Sequence, residues 1–258
     1  TGLGAVMGSK KVKAITATGK RKMEVSDKEA LKNYNKWVHR YFKNHPQMGN
    51  ILPNYGTSSI VLSTFGSNTL PTHNFKYGNF PHAMEISGEK MADVYLHKNG
   101  GCIHCPINCG REVNKTPAQN KKKTNDKANV IKGPEYESVA LLGSNLEVKR
   151  LDKVIDFAYL CDDLGMDTIS TGGVLGFTME LNERNMLKGT KAPKINFRAD
   201  SAPTLRSIET AINNIAYRKG FGNEMADGTK RMAAKFGGKD FAMEVKGLDL
   251  PGYDPRGN

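Results

Sequence analysis

Three of the chain's four cysteines lie within eight residues, in the segment GGCIHCPINCGR at 100 to 111, where the spacing is Cys102-x2-Cys105-x3-Cys109. Thiolates bind zinc, iron–sulfur clusters or copper(I). Structural zinc commonly uses two C-x2-C pairs separated by a dozen or more residues, and the second pair is absent from this sequence. The spacing therefore favours the short wrap around a cubic [4Fe–4S] cluster. Zinc, or cysteines with a purely structural role, remain the alternatives.

No fourth ligand is evident in the sequence. His104 lies inside the C-x2-C pair, where an exposed loop histidine is a simpler interpretation than a metal ligand. Cys161 falls on the apolar face of a predicted helix, which favours core packing because free cysteine behaves as a small hydrophobic residue. Clustered cysteines in a short segment do not form a disulfide framework and point to metal or redox chemistry in a reducing, cytoplasmic compartment.

Composition excludes several classes of protein. Apolar residues make up 38% of 258 residues, and the mean hydropathy is −0.53, values typical of a soluble globular protein. No run of 18 apolar residues exists, so we expect no membrane span. The formal net charge is +12, but the lysines are dispersed, and the densest run, NKKKTNDKAN, lacks aromatic residues and reads as a solvated loop rather than a nucleic-acid site.

Periodicity predicts a helix-dominated chain. A strand is expected over residues 10–25, and a helix follows it, with Ser26 as its N-cap and Glu29 completing a capping box. A second helix is expected from residue 87 to a stop at Gly100 and Gly101, directly before the cysteines. Further helices are expected within residues 152–167, 168–187, 201–222 and 223–238, and residues 241–258 are expected to form a strand and a loop. The chain starts without methionine and ends after a turn-like segment, so we expect both ends to be cut from a longer polypeptide.

Six motifs occur in an order that resembles the tungsten-containing aldehyde ferredoxin oxidoreductase family. The resemblance extends from Gly2 to Gly257 and is specific because six unrelated motifs agree. The motifs are GLGAVMGSKKVKAI at 2–15, LPTHNF at 70–75, GCIHCPINCGR at 101–111, GPEYES at 133–138, DDLGMDTIS at 162–170 and LPGYDPRG at 250–257.

The resemblance implies a mainly α fold. Residues 1–25 would be the end of an N-terminal pterin-platform domain, with a short β segment, and residues 26–258 would be a helical second domain that binds cluster and pterin. The family carries a tungsten, or in some members molybdenum, bis-pterin cofactor beside one [4Fe–4S] cluster. It oxidises aldehydes to carboxylic acids and reduces ferredoxin or another low-potential carrier. In the family the fourth cluster cysteine lies in a third domain, in a D-x-x-G-L-C motif that this sequence lacks.

Site residues carry over from the resemblance position by position. Cys102, Cys105 and Cys109 match the clustered ligands. The segment DDLGMD matches the first pterin motif, D-x-x-G-L-D, with methionine in place of leucine, a change that conserves volume. The acid–base candidates are Glu137, which is preferred by its spacing, and Glu135. The candidate pterin contacts are Asp162, Gly165, Asp167, Gly2, Gly4 and Arg256.

Two local features have competing structural interpretations. The DDLGMD segment can also be interpreted as a helix end with Gly165 as its cap, and Glu137 as a surface carboxylate in the first turn of a helix.

A different class of function, a small structural zinc or interaction domain without catalysis, is the alternative to the enzyme. Because the expected third domain and most of the platform are missing, we expect this segment alone to be inactive. A homodimer of the full-length protein is left open.

Overall fold

The computed structural model describes residues 3–20, 23–115, 129–197 and 201–257. The chain divides into two units, residues 1–44 and residues 45–258. The domain boundary predicted between residues 25 and 26 stays a prediction.

The first unit contains two helices, α1 at Leu3–Ser9 and α2 at Lys28–Asn44. The predicted β segment at 10–25 is wrong in its described part, because residues 12–20 and 23–25 have neither helix nor strand. A strand is stable only when a neighbour satisfies its backbone groups, and this unit offers none in its described residues. The amide of Ala30 bonds to Asp27 Oδ1 at 2.8 Å, so the N-cap of α2 is Asp27 and not Ser26.

The second unit is mainly helical, which confirms the predicted fold class. No helix in the described ranges has both the length and the apolar composition needed to cross a membrane. The α-helices of the second unit are α3 Leu52–Tyr55, α4 Ile60–Gly66, α5 Gly88–Val94, α6 Tyr136–Leu142, α7 Leu151–Leu164, α8 Thr168–Glu183, α9 Ala202–Ala216, α10 Gly222–Met225 and α11 Thr229–Phe236. The unit also has a π-helical turn at Gln47–Ile51 and 3₁₀ turns at Thr57–Ser59, Ala83–Ile86, Ser144–Leu146, Lys239–Phe241 and Pro255–Gly257.

The core is centred on α6 and α8. Every residue of α6 is buried except Glu137. The close approach of α8 requires glycine, because a Cβ at Gly172 would lie 2.5 Å from the carbonyl oxygen of Leu141. The two helices are also linked near their first residues, where the hydroxyls of Ser138 and Thr168 are 2.9 Å apart. This packing fixes the start of α6 relative to the start of α8.

A three-stranded antiparallel sheet carries the cysteine segment. Its strands, in spatial order, are β1 Leu96–Gly100, β2 Gly110–Asn114 and β3 Val130–Lys132. The helix predicted to run from residue 87 to Gly100 therefore stops at Val94. Its N-cap is Ser87, whose hydroxyl accepts a hydrogen bond from the amide of Lys90 at 3.1 Å. The chain then turns into β1 because β2, beyond the cysteines, provides its pairing partner.

The C-terminal part of the unit is more divided than predicted. The single helix expected at 223–238 is two helices, α10 and α11, separated at Gly228, whose φ of 84° is left-handed. Residues 241–258 hold a two-stranded hairpin of β4 Glu244–Val245 and β5 Leu248–Asp249. Its two loop residues, Lys246 and Gly247, have φ of 56° and 89°, as the tight primed hairpin turns require.

Candidate functional site

The three clustered cysteines lie on the loop of residues 101–109, which connects β1 to β2. The loop is closed at its base by the pairing of Gly100 with Gly110. Within it, the amide of Cys105 donates to the carbonyl of Cys102 over 3.0 Å. His104 and Asn108 adopt left-handed conformations with φ of 63° and 53°. The hairpin therefore presents all three thiols at one end of the sheet.

All three thiols are free, Cys102 being exposed and Cys105 and Cys109 partly buried. Burial raises the pKa of Cys109, and the charges of Glu135 and of the other two cysteines raise it further. Across the described ranges, no three His, Cys, Asp or Glu side chains converge closely enough for one metal ion. A cubic cluster needs a wider arrangement than a single ion, since its cysteines bind different irons. That these cysteines bind a cluster stays a prediction.

The other two candidates near this motif behave as the simpler interpretations expect. Cys161 is fully buried in the core, and its burial raises the pKa of its thiol to about 11. The burial of Cys161 confirms the predicted core packing. A neutral, inaccessible thiol is unreactive. His104 is exposed on the loop.

Both candidate acid–base residues lie at the start of α6, in different environments. Glu135 occupies the N-cap position, and its Oε2 accepts a hydrogen bond from the Thr57 hydroxyl at 2.5 Å. Glu137 is half-buried, and its Oε2 accepts a hydrogen bond from the amide of Gly252 at 2.7 Å. Burial raises the pKa of Glu137, and the charge of Asp167 raises it further, although the Gly252 hydrogen bond opposes both. The raised pKa means that Glu137 holds a proton more readily than an exposed glutamate does. An acid–base role for either residue stays a prediction.

The Asp162–Asp167 segment forms the junction between α7 and α8. Gly165 is left-handed with φ of 69°, and the amide of Met166 donates to the Cys161 carbonyl at 2.8 Å, as in a glycine C-cap. Asp167 is the N-cap of α8 and accepts from the amide of Ser170 at 2.7 Å. Gly165 thus has the structural role of the competing interpretation, and Asp167 has a capping role that the sequence did not predict. That the two residues contact a pterin stays a prediction.

Asp162 differs from its neighbours in the motif. Among the described residues its carboxylate makes one long ion pair, with Lys132 Nζ at 3.9 Å. The space that a side chain at Gly165 would occupy is open, with no atom within 4 Å. A carboxylate with unused oxygens beside an open glycine fits a ligand that offers N–H donors.

Asp249 is a buried carboxyl that sequence reasoning did not select. It is 9% exposed and accepts a hydrogen bond from the Thr229 hydroxyl at 2.6 Å. Burial raises its pKa, and the charge of Asp167 raises it further. Since the same aspartate acts on Glu137, three carboxyls from distant segments share one neighbourhood. A single aspartate in GLDLPG carries no motif that could have identified it.

Most of the chain matches a family of known proteins. Residues 33–258 match the family described as aldehyde ferredoxin oxidoreductase, domains 2 and 3. The tungsten-containing aldehyde ferredoxin oxidoreductase of Thermococcus kodakarensis is 42% identical over 259 aligned positions, which cover 99% of this chain and 40% of that protein. The enzyme of the same name from Pyrococcus furiosus is 41% identical over the same shares. The chain belongs to the aldehyde ferredoxin oxidoreductase family.

More distant members and a solved structure extend the comparison. The aliphatic sulfonate oxidoreductase, WOR-like subunit, of Pyrococcus furiosus is 30% identical over 98% of this chain and 38% of that protein. The active-site complex BamBC of benzoyl coenzyme A reductase, solved with 1,5-dienoyl-CoA, has a TM-score of 0.71 and 19% identity over 98% of this chain. That likeness shows a shared fold. The chain spans about 40% of the length of the tungsten-containing relatives.

The remaining family-derived candidates are Gly2, Gly4 and Arg256. Gly2 lies outside the described residues, and Gly4 lies in α1 of the first unit. Arg256 belongs to the second unit, where its Nε donates to Asp254 Oδ1 at 3.0 Å and its Nη2 donates to the carbonyl of Phe75. Cofactor binding by these three residues stays a prediction.

His73, in the LPTHNF motif, lies between two carboxylates. Its Nδ1 is 2.8 Å from Glu147 and its Nε2 is 3.0 Å from Glu183, and its ring stacks on Phe197 with centroids 3.6 Å apart. Burial alone would lower the pKa of His73, but the hydrogen bonds and charges of both glutamates outweigh burial and raise it. His73 lines a cleft of about 610 Å³. The motif was selected from sequence, but the pairing was not, because both glutamates are distant in the chain.

Proposed function

We propose that this chain carries the cluster-binding loop and a pterin-contacting motif of a tungstopterin iron–sulfur oxidoreductase. In the full-length protein, aldehydes are oxidised to carboxylic acids, and electrons pass through a [4Fe–4S] cluster to ferredoxin or another low-potential carrier. The observation that carries the proposal is the 42% identity over 99% of the chain to a tungsten-containing aldehyde ferredoxin oxidoreductase. The protein is proposed to act in the cytoplasm, without nucleic acid or membrane.

The chain's own residues fit the two cofactors. Cys102, Cys105 and Cys109 offer three free thiols on one loop for the cluster, and a fourth ligand is expected elsewhere in the full-length protein. Asp162 and Gly165 offer a carboxylate with spare acceptor capacity and open space for the pterin. When bound, the tungsten or molybdenum bis-pterin supplies two-electron redox chemistry, and the cluster supplies one-electron transfer.

Glu137 is proposed to move the proton in this reaction. Conversion of an aldehyde and water to a carboxylic acid releases two electrons and two protons. Because burial raises the pKa of Glu137, its carboxyl can take a proton from water as the water adds to the carbonyl. The Gly252 amide occupies Oε2, which leaves Oε1 as the oxygen that accepts the proton. Glu135 is the second candidate, with its Oε2 accepting a hydrogen bond from the Thr57 hydroxyl.

The relative named as an aliphatic sulfonate oxidoreductase suggests a second substrate class. That protein's name refers to aliphatic sulfonates, and it is 30% identical to this chain, whereas the aldehyde enzymes are 40–42% identical over nearly the same residues. Aldehydes are therefore the first choice of substrate. The structural zinc domain without catalysis remains the alternative from a different functional class.

The deciding experiment is anaerobic production of the full-length protein, followed by metal and acid-labile sulfide analysis and a viologen-reduction assay. We expect about four irons and four sulfides per chain, tungsten or molybdenum, and viologen reduction with simple aldehydes. Zinc without sulfide would support the structural alternative, and turnover with sulfonates alone would move the protein to the other substrate class.

Variants of the turn test the pterin assignment separately. Asp162→Ala should lower pterin and tungsten content, because its carboxylate is the acceptor proposed for the pterin N–H groups. Asp163→Ala is the matched control, since Asp163 is the exposed neighbour in the same helix. Equal pterin content in the two variants would contradict the assignment.

A further inference from the structure

The base of the cysteine loop contains a buried arginine whose role no motif assigns. Arg111, on β2, is 4% exposed. Its Nη1 donates to the carbonyl of Gly110 at 2.9 Å and to the carbonyl of Asn108 at 3.4 Å. Its Nη2 donates to the carbonyl of Leu52, in the first residue of α3. One side chain therefore joins the end of the cysteine loop to a helix that is distant in sequence.

Arg111 makes no direct ion pair in the part of the chain that the structure describes. Within the described ranges, no carboxylate forms an ion pair with Arg111, and Nε is buried without a hydrogen-bond partner. Cys109 and Glu135 are the acidic groups whose charges act on it. A buried guanidinium without a counter-charge is costly, and proteins retain such groups where an anion binds or where charge is needed for function. The cysteine loop is the element beside Arg111 at which an anionic group is expected.

The surroundings of Arg111 are built for close approach. Gly56 has φ of 66° and ψ of −167°, a region that is essentially restricted to glycine. A Cβ at Gly56 would lie 2.9 Å from the Cys109 carbonyl oxygen and 3.1 Å from Arg111 Nε. The glycine lets the residues after α3 pack directly on the last cysteine and on the guanidinium. A side chain there would separate the two.

We infer that Arg111 is a positioning residue for the iron–sulfur cluster: it fixes the Cys109 end of the loop and places a buried positive charge beside the cluster's negative charge. The inference rests on the proposed function, because it requires that the cysteines bind the cluster. A cluster ligated by thiolates is anionic, and reduction adds one more negative charge. Since net charge and hydrogen bonding set cluster potentials, a fixed cation at this position favours the reduced cluster.

The test is a redox titration, followed by EPR, of the anaerobically purified holoprotein and its variants. In Arg111→Met, removal of a unit charge within about 10 Å should lower the ratio of reduced to oxidised cluster on the order of tenfold at fixed applied potential. For a one-electron couple that corresponds to a shift of about 59 mV to more negative potential. Arg111→Lys keeps the charge but loses the fork of donors, so its shift should be smaller, while the cluster bleaches faster in air.

The control is Lys98→Met, on the neighbouring strand β1. It removes one positive charge from the same sheet, but the Lys98 side chain is 58% exposed, where solvent screens the charge. Its potential should equal that of the unaltered protein. An Arg111→Met protein with full iron content and an unchanged potential would overturn the inference, and so would a Lys98→Met shift equal to that of Arg111→Met.

Loss of cluster leaves the question decidable. If Arg111→Met retains no iron, Arg111→Lys decides: a potential near that of the unaltered protein supports the inference, and one far below the control contradicts it. If the unaltered protein contains no iron or sulfide after anaerobic purification, the proposed function itself fails. That outcome is distinct from one in which the protein has its full iron content but its potential does not change when Arg111 is replaced.

Discussion

Replacement of Tyr136 by phenylalanine tests whether the site is held by buried hydrogen bonds. Tyr136 is 2% exposed. Its hydroxyl donates to the carbonyl of Gly252, and the amide of the same glycine donates to Glu137 Oε2 at 2.7 Å. Tyr136 and Glu137 therefore hold the chain at Gly252 through its two backbone groups. Phenylalanine keeps the packing of the ring and removes only the donor to the Gly252 carbonyl.

The expected cost follows from what is left unpaired. Gly252 is buried, so its carbonyl would lose its donor without gaining water, at a cost of about 1–3 kcal/mol. The Thr64 hydroxyl, 3.3 Å from Tyr136 Oη, still donates to the Ile60 carbonyl at 2.9 Å and adds little. For a protein of this size, 1 kcal/mol corresponds to roughly 2–4 °C in Tm. The Tyr136→Phe protein should therefore melt about 2–12 °C lower than the unaltered protein.

The assay is thermal unfolding followed by circular dichroism, with Tyr217→Phe as the matched control. Tyr217 is 62% exposed, so loss of its hydroxyl should leave Tm unchanged. Equal Tm values for the two variants would refute the reasoning, because the hydrogen bond to Gly252 would then carry no net free energy.

Three further outcomes follow from the same contacts. Glu137→Gln should abolish most aldehyde oxidation in the full-length holoenzyme. It should leave Tm unchanged or raised at neutral pH, because the raised pKa of Glu137 means that the charged form of this residue destabilises the fold. A lower Tm would contradict this. The pKa of His73 is raised in the folded protein, so protonated His73 should stabilise the fold. This contribution should be complete below the unfolded pKa of about 6.5 and should be lost as the pH rises through the folded pKa. The free energy of unfolding should therefore fall over that pH interval in the unaltered protein and not in His73→Gln. Gly172→Ala should lower the free energy of unfolding by about 1–3 kcal/mol, because the alanine Cβ would overlap Leu141. Gly4→Ala should cause no such loss, because the space around Gly4 is open. Similar urea midpoints for the two variants would contradict the packing argument.

The features predicted correctly from sequence are those specified by local signals. The competing interpretation of Asp162 to Asp167 combines a helix end and a glycine cap at Gly165, and the structure has both. The buried face of α7 follows from its helical period, and this placed Cys161 in the core. Such features need only interactions within a few residues, and they are legible without knowledge of the fold.

The features missed depend on partners that are distant in the chain. Residues 95–100 continue the pattern of a helix, and their pairing with β2 becomes evident only when the cysteine loop is known to fold back. The strand predicted at 10–25 fails for the converse reason, since alternation alone supplies no partner strand. In the sequence, Arg111 is a charged residue after a cysteine motif, and its neighbours do not predict that it is buried against Leu52. Long-range pairing and burial are set by tertiary structure and override local propensity.

The same packing explains why the proposed catalytic carboxyl is precise in position and costly in stability. Glu137 is the single residue of α6 that is not buried, on a helix fixed against α8 by the glycine at 172. Its partner is a backbone amide, which cannot rotate away as a side chain can. Asp167, the N-cap of α8, is a like charge that raises the Glu137 pKa and so disfavours the carboxylate form. The packed helix and the fixed donor position the carboxyl, and burial and the like charge disfavour its ionised form. The proposed proton transfer would use that property at a cost to the stability of the fold.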